Sequence, residues 1–274
     1  MLYDLHTHSD CSDGQLSPSA LVELAIDKGV DVLALTDHDT LDGVTEAQEA
    51  AEGRLQLIPG IELSTLWYSL NIHIVGLRVD LISSSLQEAV ASQSDIRRQR
   101  SEDIAQRLEK VGVSGALEGA KYYAKGDNIG RPHFARYLVD AEYVSSYAQA
   151  FKKYLGVGKV GDVKHYWPDI ETAVFWIKAA GGIPVLAHPD KYGLTRTKLY
   201  TLLERFVAAG GEAMEVVNGE QLPAVTQKLN RACQDFSLLA SCGSDFHSTV
   251  HAWQSPGKIS ALPSSCEPIW QAWQ

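Results

Sequence analysis

Along residues 1–80, short apolar runs alternate with stretches of helical periodicity. Leu2–Leu5 reads as a strand. Ser17-Pro18 opens a helix, Ser suiting the N-cap and Pro the first helical position. Leu21, Leu24 and Ala25 form its apolar stripe, and Gly29 stands where a C-terminal cap belongs. Val30–Thr36, rich in Leu and β-branched residues, reads as a buried strand. A helix over Gly43–Glu52 follows, then strands at Leu55–Ile58, Ile61–Leu66 and Ile72–Val79, with Pro59-Gly60 as a turn. This rhythm predicts a largely parallel sheet covered by helices.

The middle of the chain loses the strand signal. Ser84 to Lys110 reads as one long polar helix carrying Arg97, Arg98, Arg100, Arg107 and Lys110, followed by helical pieces near 114–125, 131–140 and 145–154. Alternation resumes with a helix at 169–180, a strand at Ile183–Ala187, a helix at Thr197–Ala209, a strand at Ala213–Val217, a helix at Pro223–Asp235 and a strand at Leu238–Ser241. Seven or eight strands in this order predict an α/β fold of the (β/α) barrel type. Residues 1–80 and 166–274 form its two parts, and 81–165 is a helical insertion.

Charge adds an asymmetry. The net charge is −10, which argues against non-specific binding of duplex DNA. Residues 83–165 nevertheless hold 13 Lys+Arg against 10 Asp+Glu, whereas the rest holds 11 against 24. An acidic body with a mildly basic insertion fits carboxylates that hold cations beside basic groups that hold an anion. Apolar residues at 45% and charged residues at 21% are ordinary for a soluble globular chain. No apolar run is long enough to span a bilayer and no secretory signal opens the chain. Cys11, Cys233, Cys242 and Cys266 form no framework, so free thiols in the cytoplasm are expected.

The chemistry-bearing residues recur at strand ends. His6 and His8 close the first strand at i and i+2, Asp37-His38-Asp39 follows the second, and Glu62 follows the Pro-Gly turn. His73 lies within a strand, His188 follows one, and Asp245 and His247 follow the last at i and i+2. Seven of the nine histidines fall at such places, counting His165 less clearly. One histidine there is ordinarily structural. Six of them, with Asp13, Glu62 and Asp245, form a ligand set too large for one ion, and the C-terminal rim of a barrel is where such sites sit.

Asp-Leu-His6-Thr-His8, Ser12-Asp13-Gly14, Thr36-Asp37-His38-Asp39, Pro59-Gly60-Ile61-Glu62, Ala187-His188-Pro189 and Gly243-Ser244-Asp245-Phe246-His247 resemble, in order, the PHP (polymerase and histidinol phosphatase) superfamily. The insertion's Leu117-Glu118-Gly119-Ala120, Arg131-Pro132-His133-Phe134-Ala135-Arg136 and Phe151-Lys152-Lys153-Tyr154-Leu155 resemble a subgroup that includes 3′,5′-nucleotide bisphosphate phosphatases and the 5′→3′ exoribonuclease RNase AM. The resemblance implies a distorted (β/α)7 barrel and a site for two or three divalent ions, Mn²⁺ foremost, with Zn²⁺ or Fe²⁺ in some members. It implies three sets: His6, His8, Glu62 and Asp245; the bridging Glu62 with His73 and His188; and Asp13, His38 and His247.

The implied reaction is attack of a metal-activated hydroxide on phosphorus. The substrates are the 5′ phosphate of a 3′,5′-bisphosphonucleotide or the 5′-terminal nucleotides of short single-stranded RNA. Asp37 or His188 handles protons, orienting a ligand histidine being the favoured role for Asp37. Arg131, His133, Arg136, Lys152, Lys153 and Lys159 are the substrate-binding candidates, since Arg presents a fork suited to phosphate. Lys191 stands where relatives often carry Arg. The alternatives are a histidinol-phosphate phosphatase and a non-catalytic metal- or nucleotide-binding regulator. His251 and Trp253 read as surface and packing residues.

Overall fold

The computed structural model describes residues 1–124, 126–163, 166–250 and 254–273, so the readings of His165, His251 and Trp253 lie outside the described residues. Seven strands form one sheet in chain order: β1 (Tyr3–Thr7), β2 (Val32–Leu35), β3 (Gln56–Trp67), β4 (Leu70–Leu77), β5 (Ile183–Leu186), β6 (Ala213–Asn218) and β7 (Leu239–Gly243). β7 returns beside β1, where a bridge between Thr7 and Phe246 and the bond from Asp245 N to His6 O (2.8 Å) nearly close a barrel.

One apolar cluster draws Leu5, Val32, Ile58, Val75, Val185 and Ala213 from six different strands, which only a shared barrel interior permits. Outside it, α1 (Pro18–Asp27) and α2 (Val44–Ala51) cover β2, while α7 (Ile170–Ala179), α8 (Arg196–Ala208) and α9 (Pro223–Asp235) cover β3 to β7. Ser17 caps α1 through the Ala20 amide and Gly29 follows it at φ 76°, as its sequence predicts.

Two expectations change. Residues 56–67 are one strand, and Pro59-Gly60 is no turn. Gln56–Pro59 pairs with β2 in parallel, and Gly60–Trp67 pairs with β4 antiparallel. The dipeptide marks where the strand changes partner. Proline has no N–H to give a ladder, and a Cβ on Gly60 would lie 2.8 Å from Thr36 Cγ2. The second change is β4, which runs antiparallel to both β3 and β5. Only Tyr68 and Ser69 connect Trp67 to Leu70, too few for a crossover, and Tyr68 takes φ 52° to turn the hairpin.

α3 (Ser84–Glu109) is shared between two cores. Leu86 and Ala89 pack on the barrel's outer cluster, while Ile104, Ala105 and Leu108 join α4 (Ala116–Tyr123), α5 (Arg131–Asp140), α6 (Tyr147–Ala150) and the π-helical turn Phe151–Leu155 in a separate cluster around Phe134 and Leu138. The insertion therefore stands on the barrel through the first half of α3. Among the described residues no helix is long and apolar enough to cross a membrane.

Candidate active site

Glu62 is the hub. Its Oε1 lies 2.9 Å from His73 Nδ1 and 2.9 Å from His188 Nε2, and its Oε2 lies 2.9 Å from His38 Nδ1, 3.3 Å from His6 Nε2 and 3.4 Å from His8 Nε2. The hairpin explains how one carboxylate meets so many rings. An antiparallel strand begins at the rim where its parallel neighbours end, so β4 offers His73, in its first half, beside Glu62. On β1 the register slips between Asp4 and Thr7, and such a bulge re-aims a side chain. His6 and His8 both reach Asp245 Oδ1, at 3.6 and 3.3 Å.

Asp13 supplies the remaining group. Its Oδ1 lies 3.1 Å from His247 Nε2 and its Oδ2 lies 3.8 Å from His38 Nε2. Four sets of ligand atoms converge: His8, Asp13, His38 and His247; His6, Glu62 and His188; His6, His8 and Asp245; His38, Glu62 and His73. All nine metal-ligand candidates are in one cluster; Asp13, His38 and His247 converge as the resemblance implies, as do His6, His8 and Asp245, and the overlaps add further groupings. His38 joins Glu62 and His73, and His8 joins the Asp13 set.

The donor set fits divalent cations. His6 Nε2, both nitrogens of His8, His38 Nδ1, His188 Nδ1, Glu62 Oε2 and Asp13 Oδ1 are buried without a hydrogen-bond partner, a costly arrangement unless something else satisfies them. Electrostatics agree. Burial opposes ionisation of Glu62, Asp13 and Asp245, yet the surrounding imidazoles, and Lys191 for Asp245, hold all three well below the usual carboxylate range. Burial, with His247 and His38 nearby, pushes His8 down to about 3, so it remains a neutral donor. Three of the seven non-glycine residues with positive φ among the described residues, Asp39 (56°), His188 (29°) and Asp245 (53°), stand at the rim.

A second layer holds the first. Glu215, which sequence reasoning missed, lies 2.6 Å from His6 Nδ1 through Oε1 and accepts from His188 N (2.6 Å) and Asn218 Nδ2 (3.1 Å) through Oε2. The one sequence signal was a lone carboxylate in the apolar run Ala213–Val217. Asp37 accepts from Ser9 N (2.7 Å), Ser9 Oγ (2.6 Å) and Ser12 Oγ (2.6 Å). Both its oxygens pin the loop that carries Asp13, a positioning role. Asp4 accepts from Ser244 N (2.8 Å) and Gly257 N (2.7 Å), away from the rings. Lys191 Nζ pairs with Asp245 Oδ2.

Beside His38 and His73 lies a cavity of about 130 Å³ walled by Arg97, Arg100 and Arg131, with Trp167 and Phe151. Arg97 is held by Asp39 (2.8 and 2.5 Å). Arg100 is 4% exposed, donates from Nε to Val163 O (2.7 Å), and packs its guanidinium 5.3 Å from the Trp167 ring centroid. Burial, then Arg131 and Arg97, push its pKa down to about 9, against the opposing pull of Asp162 and Asp39. Arg131 donates to Leu155 O (3.1 Å) and faces the same cavity.

The other substrate-binding candidates part ways. His133 is buried, accepts from Gly130 N (2.9 Å), and is pushed down to about 4 by burial, so it is a neutral lock on the start of α5 and not an anion ligand. Lys152, Lys153 and Lys159 are exposed and line no wall of the arginine cavity. The π-helical turn points Phe151 into that cavity and buries Tyr154 and Leu155, which leaves Lys152 and Lys153 outward. Arg136 lies on the opposite side of Asp13, donating to its carbonyl at 3.4 Å.

A nearly closed seven-stranded barrel with an imidazole–carboxylate cluster at its rim defines the class. The PHP domain model matches residues 4–158, and the chain belongs to the PHP domain family. The 5′-3′ exoribonuclease Rnm of Escherichia coli (strain K12) is 43% identical over 277 residues, covering 100% of this chain and 94% of that protein. The 3′,5′-nucleoside bisphosphate phosphatase of Chromobacterium violaceum is 38% identical over 270 residues, covering 98% and 95%. A solved amidohydrolase structure from C. violaceum, with bound sulfate and no metal, superposes with a TM-score of 0.93 at 38% identity, covering 99% of this chain and 95% of that one.

Proposed function

We propose that this chain is a metal-dependent phosphoesterase that removes 5′-terminal nucleotides from short 5′-phosphorylated RNA and cleaves 3′,5′-bisphosphonucleotides. The observation that carries the reading is the juxtaposition of the Glu62-centred cluster with the Arg97–Arg100–Arg131 cavity, which share Asp13, His38 and His73 along their border. Two anionic groups can be held at once, one at each. The relatives named for exoribonuclease and bisphosphate phosphatase activity support it.

His6, His8, Asp13, His38, Glu62, His73, His188, Asp245 and His247 would hold two or three divalent ions, with Glu62 central to the set. Mixed nitrogen and oxygen donors suit Mn²⁺, Zn²⁺ or Fe²⁺ better than Mg²⁺, and the family resemblance puts Mn²⁺ first. When bound, such ions neutralise phosphoryl oxygens and lower the pKa of water from about 15.7 toward about 7. The chain's own contribution is placement. Glu215 fixes the His6 ring, Asp37 fixes the Asp13 loop, and Arg100 and Arg131 clamp a second phosphate. Free cysteines, among the described residues, fit the cytoplasm.

Removing a 5′-terminal nucleotide breaks a bond on that nucleotide's 3′ side. The terminal 5′ phosphate then belongs in the arginine cavity, and the same seating puts the 3′ phosphate of a bisphosphonucleotide at the cluster, in place of the 5′ phosphate expected from the sequence. The test is turnover with added Mn²⁺ of adenosine 3′,5′-bisphosphate, a 5′-phosphorylated RNA and histidinol phosphate. Release of 5′-AMP supports this seating and 3′-AMP the opposite one. Turnover of histidinol phosphate alone sinks the substrate assignment, and no turnover at all favours a regulator.

A further inference from the structure

A second cavity, of about 430 Å³, opens on the other side of Asp13, with Gln15, Pro132, Arg136, Tyr147 and His247 among its walls. It shares Asp13 and Pro132 with the arginine cavity, so the two flank the cluster. It also shares Gln15 and Arg136 with an outer cavity of about 600 Å³ reaching Asp10 and Tyr123. The three adjoin along these shared residues in a row, a trough with the cluster near one end.

Arg136 is the one lysine or arginine among the described residues lining the second and outer cavities. Among the described residues it makes no ion pair, and its one bond, to the Asp13 carbonyl, is long at 3.4 Å. Its forked donors therefore remain largely unused beside the cluster. Tyr147 presents an aromatic ring on the same wall and is 46% exposed, and its ring centroid lies 5.2 Å from that of Phe151, which faces the arginine cavity. Alternating cation and aromatic surface is how proteins hold single-stranded nucleic acid without reading its sequence. Asp10 lies on the outer wall, so the phosphate belongs at Arg136 and ribose and base beyond it.

We propose that the RNA strand downstream of the cleaved bond runs through this trough, with its first following phosphate on Arg136 and a base against Tyr147, so that Arg136 sets the preference for polynucleotide over bisphosphonucleotide. The inference rests on the exoribonuclease reading above. The expected substrate is a single strand at least a few nucleotides long.

The test compares wild type, Arg136→Ala and Arg136→Lys on a 5′-phosphorylated pentaribonucleotide and on adenosine 3′,5′-bisphosphate, with circular dichroism to verify folding. Arg136→Ala should raise KM for the pentamer about tenfold more than for the bisphosphate, the scale of one charged hydrogen bond. The slope of log KM for the pentamer against log salt should flatten by about 0.7, the contribution of one phosphate contact on a single strand. Arg136→Lys should restore the slope and part of the KM. Equal losses on both substrates, or an unchanged salt slope, overturn the inference and leave the exoribonuclease reading intact. A wild-type enzyme that cleaves the bisphosphate and no RNA overturns both.

Discussion

Glu215→Gln should weaken metal binding without unfolding the protein. The carboxylate accepts from three donors: His6 Nδ1 and His188 N, each at 2.6 Å, and Asn218 Nδ2 at 3.1 Å. Glutamine fills the same volume but has one accepting oxygen. Its amide nitrogen must face either His6 Nδ1 or the His188 N–H. If it faces His6, the ring accepts at Nδ1 and carries its proton on Nε2, the atom aimed at Glu62 and Asp245, and a protonated nitrogen cannot ligate. If it faces His188, two N–H groups oppose each other and the turn carrying that ligand must shift. Loss of such outer carboxylates weakens metal affinity by about 10–100-fold, or about 1.4–2.8 kcal/mol. Calorimetric titration of the metal-stripped protein with Mn²⁺ reads the change directly. The metal-free melting temperature should fall by no more than a few degrees, at about 2–4 °C per kcal/mol. An unchanged Mn²⁺ affinity and stoichiometry would refute the argument that Glu215 orients His6.

Arg100→Met should raise KM for both substrates about tenfold or more while leaving Mn²⁺ affinity intact, since it faces the second phosphate and not the cluster. Arg97→Met strands Asp39 in the interior and should cost about 3–5 kcal/mol in a urea melt, with Asp39→Asn recovering part of it. Chelation of bound metal should lower the melting temperature, since Mn²⁺ at 100 times its Kd contributes about 2.7 kcal/mol. Metal affinity should rise with pH. Burial lowers the pKa of His6 and of His247, but Glu215, Glu62 and Asp245 hold His6 well above 6.5, and Asp13 and Asp245 carry His247 to about 9. Both shifts favour the protonated rings in the metal-free protein, so Mn²⁺ must displace protons. Titrations in buffers of different ionisation enthalpy should show their release; identical heats in all buffers would contradict this.

Most of the cluster was legible in the sequence because ligand chemistry and strand ends coincide there. His6, His8, His38, His188, Asp245 and His247 each stand next to an apolar run that could only be a strand, and the structure gathers them where the strands end. What the strand pattern could not convey was direction. Ile72–Val79 looks the same read parallel or antiparallel, and the Tyr68-Ser69 connection lacks the Asn-Gly type of signal that announces a tight hairpin. Its brevity was the better clue, since a parallel crossover needs a dozen or so residues.

The substrate side is harder to read for a more instructive reason. Lys152 and Lys153, in the helical piece 145–154, and Lys159 just beyond it look available to an anion, whereas Arg97 and Arg100 sit in what reads as one long polar helix. The buried positions of α3 are Leu86, Ala89, Gln93, Arg97, Arg100, Ser101, Ile104, Ala105 and Leu108, a stripe of helical period that is apolar at both ends and polar in the middle. The two ends pack on two different cores. The stretch between them must cross the gap where barrel and insertion meet, and Gln93, Arg97 and Arg100 are the residues that keep the stripe's register there. Gln93 and Arg97 brace Asp39, one residue from His38, and Arg100 is left over with an anion-sized cavity. A polar interruption held in the register of a buried stripe thus marks a site, where the same residues off register mark solvent. By that criterion Arg98 and Arg107, one step out of register, belong to the surface. Replacing either with Ala should leave KM for both substrates unchanged, and an Arg98→Ala variant that lost phosphate affinity as Arg100→Met does would show that register carries no such information.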